Sequence, residues 1–325
     1  MFKIISTGMY IPKNLVTNEE MYKKFGSDPL KTIFERIGHG ARYYCDKDES
    51  SADLAVKAGQ EALKNSGLKA GDIDLLIIST DTPAQISPAT AAEVQHRLEL
   101  KNASGAFDVN CACAGFVTAV DMAAKYLDGK TYKNIMIIGT YAMSKHVDPN
   151  DVGSTMLFGD GAGAFIIQHA PKQGKTASTL KADGSYWDFM GIYSGGSRRP
   201  VDQAVLSDMT HKVKIPKKFP ASLNSEQWPP LIEKTLNKLK LKPADVDAYV
   251  FTQVRKPTIE EVMTGFGLPM NKTHTIMEKW GYTGSACVPM AFHDMAAQGK
   301  VKRGDRVVLC ASGGGYAMAC LSFVY

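Results

Sequence analysis

The chain has 325 residues, of which 44% are hydrophobic and 22% charged. That is enough apolar material for a large core, and it excludes a disordered polyelectrolyte. The formal net charge of +5 is too mild for a nucleic-acid-binding surface and suits an anionic substrate or an acidic partner.

The opening MFKIISTGMYIP reads as a first strand and lacks the basic and long apolar regions of a secretory leader. No apolar run approaches the roughly 20 residues of a membrane span. The six cysteines (Cys45, Cys111, Cys113, Cys287, Cys310, Cys320) stand mostly among apolar or small neighbours, the setting of free thiols in a reducing compartment. A cytoplasmic protein without membrane contact is expected. Cys111 and Cys113 form one close pair with no second Cys/His pair to complete a zinc site, so no metal is expected.

Residues 53–80 pair a helical apolar spacing with a buried strand. Residues 120–140, VDMAAKYLDGKTYKNIMIIGT, do the same, and FGDGAGAFIIQ at 158–168 leads glycines into a strand. The stretch 171–225 breaks the rhythm with Gly, Pro and Lys-rich segments, which predicts a connection and surface insertion. HKVKIPKK within it reads as a solvated loop. The rhythm then resumes, with helix and strand at 228–253, HDMAAQGKVKRGDRVVLCAS at 293–312 and SGGGYAMACLSFVY at 312–325.

These elements repeat. LKAGDIDLLI at Leu68 matches LKPADVDAYV at Leu241, and the DMAA segments carry Asp121 and Asp294; both pairs are 173 residues apart. Two matches at one offset predict an internal duplication. The predicted organisation is an α/β protein of two similar halves, 1–170 and 226–325, joined by 171–225. Near-continuous apolar strands such as NIMIIGT suit the middle of a sheet covered on both faces.

The stretch FDVNCACAGFVTAV at 107–120 poses a chemical question. Helical spacing begins immediately at Cys113, so its thiol is predicted at a helix N-terminus, where unpaired N–H groups and the dipole lower a thiol pKa. Cys113 is then either an activated nucleophile or an inert core residue.

DVNCACAGF, STMLFGDGAGAFII, GYTGSACVPMAF, SGGGYAMA and ERIGHGARY occur in an order that resembles the 3-oxoacyl-acyl-carrier-protein synthase III family. The resemblance implies a thiolase-like fold of duplicated α/β/α/β/α layers. It also implies an acyltransferase of lipid metabolism that needs no cofactor beyond its acyl-coenzyme A or acyl-carrier-protein substrates. Cys113 matches the family nucleophile, with an oxyanion hole from the backbone N–H groups of Cys113 and Gly314. A homodimer is implied, with Ser87 where bulkier side chains often close the partner's acyl tunnel. Arg36 matches an arginine that contacts the coenzyme A nucleotide, although Thr32 and Val152 replace two other expected contacts. Gln253, Arg255 and Lys256 fall at the implied substrate entrance, the last two suiting an acidic carrier protein.

The chain departs from the family where its catalytic histidine and asparagine stand: these positions hold Thr252 and Tyr282. Both could supply hydroxyl donors, or both could fill space. His146, His211, His274 and His293 lie elsewhere, His293 on an expected exposed helix face. Three readings follow: a specialised acyl-thioester transferase of lipid or secondary metabolism with a non-standard site, standard decarboxylative condensation with malonyl-carrier protein, or a non-catalytic partner of an active paralogue.

Overall fold

Strands with apolar residues at every position can separate two cores, because successive side chains point to opposite faces. The computed structural model describes all 325 residues, save the side chains of Asp28 and Pro29. Its strands are β1 (Phe2–Tyr10), β2 (Asn14–Thr17), β3 (Ala41–Tyr44), β4 (Leu75–Ser79), β5 (Gly105–Val109), β6 (Asn134–Tyr141), β7 (Gly161–His169), β8 (Ala177–Ala182), β9 (Ala248–Phe251), β10 (Arg306–Gly313) and β11 (Ala317–Val324). A five-stranded sheet runs β1-β7-β6-β4-β5 and a four-stranded sheet runs β8-β11-β10-β9, while β2 and β3 form a separate ribbon. β4 is parallel to β5 and β6, and β9 is parallel to β10. On one side of each sheet the last two strands, β1 and β7 and likewise β8 and β11, run antiparallel to their neighbours.

In β6, Ile135 and Ile137 enter a central core while Met136 and Ile138 enter an outer one. In β10, Val307 and Leu309 face the same central core, and Val308 and Cys310 face a third cluster on the far side. The helices Gly115–Tyr126 and Cys287–Ala297 lie between the sheets. Ser51–Ser66 covers the outer face of the first sheet and Leu223–Asn237 that of the second, giving the five-layered α/β/α/β/α fold.

Local sequence sets these elements. Ser50 and Asp53 cap the helix Ser51–Ser66 reciprocally, satisfying N–H groups the first turn leaves open. Gly67 ends it at φ +71°, a left-handed residue suited to glycine. Gly8 lets this helix close on β1, since a Cβ there would meet the Ala58 carbonyl at 2.3 Å. The segment expected as a connection contains β8, which pairs with β11. No helix among the described residues is long and apolar enough to cross a membrane.

Candidate active site

The nucleophile turn is built from backbone geometry. Asn110 accepts the Ala112 N–H on its side-chain oxygen at 3.1 Å, and the N–H of Ala114 bonds to the Cys111 carbonyl at 3.1 Å. Ala112 adopts φ +45°, a left-handed conformation that costs a non-glycine residue about 1 kcal/mol or more. The helix proper begins at Gly115, two residues later than the sequence spacing predicts, because this turn consumes the intervening residues. Gly115 is needed where the helix meets β4: a Cβ there would stand 2.4 Å from the Ser79 hydroxyl oxygen.

Cys113 is 2% exposed and lies in the wall of a cavity of about 250 Å³. Leu157, Met190 and Phe219 make the cavity largely apolar, and Tyr282, Asn224 and Ser312 bring polar atoms to it. Tyr282 is 3% exposed; its ring stacks on Phe158 with centroids 6.1 Å apart, and it shares the cavity wall with Cys113.

Burial raises the Cys113 thiol well above the ordinary range, the Asp81 carboxylate and the Cys287 thiol push it further, and the Tyr282 hydroxyl acts in the opposite direction. This corrects the expectation of a lowered thiol. The helix dipole acts weakly one turn boundary away, whereas desolvation acts directly on the charged sulfur. Burial likewise lifts the Tyr282 phenol, followed by the neighbouring Cys113 and Cys287 thiols, so this hydroxyl stays protonated and available as a donor.

Thr252 does not join the cavity. It is fully buried, its hydroxyl accepting the Ser312 backbone N–H at 3.0 Å and facing the Ser312 carbonyl at 3.5 Å. A threonine is too short to reach past β10, so the hydroxyl expected as a donor ties β9 to β10. Gln253, expected at the substrate entrance, is also turned inward. Its amide N–H groups bond the Phe251 and His274 carbonyls at 2.9 and 3.2 Å, and its oxygen accepts the Ile276 N–H at 2.9 Å. The chain bends after β9, and Val254 and Arg255, which follow Gln253, line the cavity instead.

Arg255 lines the cavity and donates to the Ala221 carbonyl at 3.2 Å. Lys256 stands outside it, 3.4 Å from Glu278. Arg36 and Ser87 are exposed, and Ile86 beside Ser87 is 83% exposed. Gly314 lines the cavity with space around it, whereas Gly313 presses on the nucleophile turn: a Cβ there would stand 2.6 Å from the Cys113 nitrogen. Within the expected loop 211–218, Ile215 forms part of the cavity wall. His293, expected exposed, is half-buried, with its Nδ1 2.9 Å from the Thr7 hydroxyl. No histidine lines the cavity among the described residues, and no cluster able to hold a metal occurs among them.

Two contributors escape sequence reading. Asp81 presents one carboxylate oxygen that is sealed from solvent and lacks a hydrogen-bond partner, and burial raises its carboxyl to about 6. Asn224 sits in the first turn of Leu223–Asn237, and its side-chain oxygen accepts from the Ser312 hydroxyl at 2.8 Å and from the Tyr316 hydroxyl. Neither residue lies in a motif. The second sheet alone brings Ser312 and Tyr316 to the helix that carries Asn224.

A buried thiol at the head of an apolar cavity, on a five-layered duplicated α/β fold, defines the class of thiolase-fold acyl-transferring enzymes. Residues 107–184 match the family described as 3-oxoacyl-[acyl-carrier-protein (ACP)] synthase III, and residues 236–325 match its C-terminal counterpart. The chain is 33% identical over 323 residues to the β-ketoacyl-[acyl-carrier-protein] synthase III of a Neisseria meningitidis serogroup C strain, covering 99% of both chains. It is 35% identical over 317 residues to the corresponding protein of Clostridium perfringens, covering 96% of both. The crystal structure of 3-oxoacyl-[acyl-carrier-protein] synthase III from Aquifex aeolicus superposes with a TM-score of 0.88 at 29% identity, covering 100% of both chains. The chain therefore belongs to the β-ketoacyl-acyl-carrier-protein synthase III family of condensing enzymes.

Proposed function

We propose that Cys113 takes an acyl group from a thioester of coenzyme A or of an acyl carrier protein and passes it to a second substrate inside the cavity. The step uses a site that differs from the family pattern, and it serves a specialised branch of lipid or secondary metabolism. What supports this reading is that Cys113 and Tyr282 line one largely apolar cavity that, among the described residues, no histidine lines. As the sulfur attacks the thioester carbonyl, the donor's carbon–sulfur bond breaks, and the proton lost by Cys113 ends on the departing coenzyme A or carrier thiolate, through water. The Tyr282 hydroxyl eases the attack by donating to the Cys113 sulfur as charge develops there. The tetrahedral oxygen is received by the backbone N–H groups of Cys113 and Gly314, donors that no side-chain replacement removes.

Arg255 at the cavity and Lys256 beside it suit an acidic carrier protein, and exposed Arg36 suits the phosphates of coenzyme A. The exposed Ile86–Ser87 segment supports a homodimer in which it meets the partner's cavity. The test is a chase. Protein acylated at Cys113 is separated from donor and given malonyl-carrier protein or simple oxygen and nitrogen acceptors. Discharge of the acyl group into a new product is expected. An adduct that only hydrolyses at the rate of free thioester contradicts the reading.

A further inference from the structure

Asn224 is held in a way that leaves one function open. Its side-chain oxygen takes hydrogen bonds from the Ser312 hydroxyl at 2.8 Å and from the Tyr316 hydroxyl. Two donors on one carbonyl oxygen use both of its lone pairs and fix the plane of the carboxamide. Its NH2 group must then point the other way. That group has no partner among the hydrogen bonds of the described residues, and it is not among the sealed, unpaired polar atoms. Asn224 is half-buried and lines the cavity together with Cys113 and Tyr282. The anchoring residue Ser312 precedes Gly313, whose Cα packs against the Cys113 backbone nitrogen. The amide is therefore anchored to the same strand end that frames the nucleophile.

We propose that the Asn224 carboxamide is a catalytic donor that polarises the thioester carbonyl of a malonyl-type second substrate, the role left open because Thr252 is turned away. The proposal rests on Cys113 carrying the acyl group and narrows the second substrate to a β-carboxy thioester. Loss of CO2 breaks a carbon–carbon bond and leaves its electron pair delocalised onto the thioester oxygen. The Asn224 N–H groups receive the charge on that oxygen. The carbanion carbon then bonds to the carbonyl carbon of the acyl-Cys113 thioester, the carbon–sulfur bond breaks, and the departing thiolate takes a proton from water. A preset donor at a developing oxyanion is worth about a hundredfold to a thousandfold in rate.

The experiment uses the full-length protein with Cys113 acylated beforehand and radiolabelled malonyl-carrier protein as the probe. Asn224→Asp keeps the shape and still accepts from Ser312 and Tyr316, but it loses both donors. CO2 release is expected to fall by about a hundredfold or more with little change in KM, while the stoichiometry of Cys113 acylation stays at the native level. Tyr316→Phe removes one anchor and is expected to give a smaller loss of the same kind. Unchanged CO2 release in Asn224→Asp and in Asn224→Ala overturns the proposal. So does a native acylated protein that releases no CO2, or a fall shared equally by acylation and CO2 release. Failure of the native protein to acylate at all would instead refute the reading beneath it.

Discussion

Gly313 and Cys113 touch backbone to backbone: a methyl group on Gly313 would stand 2.6 Å from the Cys113 nitrogen and 2.8 Å from the Cys111 carbonyl oxygen. Neither atom can move without shifting the turn that holds the thiol. Gly313→Ala is therefore expected to cost about 1–3 kcal/mol of stability and to reduce Cys113 acylation sharply. At Gly314 the nearest atom would be 3.7 Å away, so Gly314→Ala, which keeps its backbone N–H, is expected to acylate near the native rate. Thermal melts with acylation rates for the pair check this; equal effects would contradict it.

The Cys113 thiol, raised by burial, Asp81 and Cys287 and eased by Tyr282, should be a poor thiolate at neutral pH. In a Cys111→Ala background, alkylation by iodoacetamide is expected to keep rising beyond pH 8.5, about where a free thiol is half ionised. Tyr282→Phe removes the donor that stabilises the thiolate, so its profile is expected to shift to higher pH. A profile that levels off near pH 7 would show an activated thiolate instead.

Asp81 gives a linked stability effect. Its carboxyl lies at about 6 in the fold, above the ordinary aspartate value near 3.9. Below pH 4 both folded and unfolded chains are protonated there and no penalty arises. Between about pH 4 and 6 the unfolded chain ionises first, so stability falls as pH rises; above 6 the whole penalty is present. Asp81→Asn is expected to stabilise the protein at pH 7 by about 1–3 kcal/mol, with no gain at pH 3.5. It should also move the Cys113 alkylation profile to lower pH. Denaturant titrations at the two pH values decide the first point; equal gains at both would contradict it.

Thr252 should matter for folding more than for chemistry. Thr252→Val leaves the buried Ser312 N–H without its acceptor, a loss of about 1–3 kcal/mol, whereas Thr252→Ser retains it. Cys113 acylation is expected to continue in both. Loss of acyl transfer in the valine variant, without loss of stability, would make the hydroxyl a working donor.

The duplicated strands were legible because periodicity is local: β4 and β9 begin at Leu75 and Ala248, at the same spacing as their sequence repeats. Cys113 was legible through its motif. The start of its helix was not, since the left-handed turn at Ala112 has no glycine to announce it. Thr252 shows the limit of reading a position without its side chain's reach: the residue occupies the expected place in the chain and bonds the opposite way. Asn224 and Asp81 come from elements distant in sequence, and only the closed fold brings Asn224 to the cavity and the Asp81 carboxylate near Cys113.

Whether Cys113 alone carries the acyl group is decided by mass measurement of the intact protein. After exposure to a panel of acyl-coenzyme A and acyl-carrier-protein thioesters, the native protein and Cys111→Ala are expected to gain one acyl mass, removable by hydroxylamine. Cys113→Ala is expected to gain none. An acyl group that maps to Cys111, or a native protein that no thioester in the panel labels, would contradict the account.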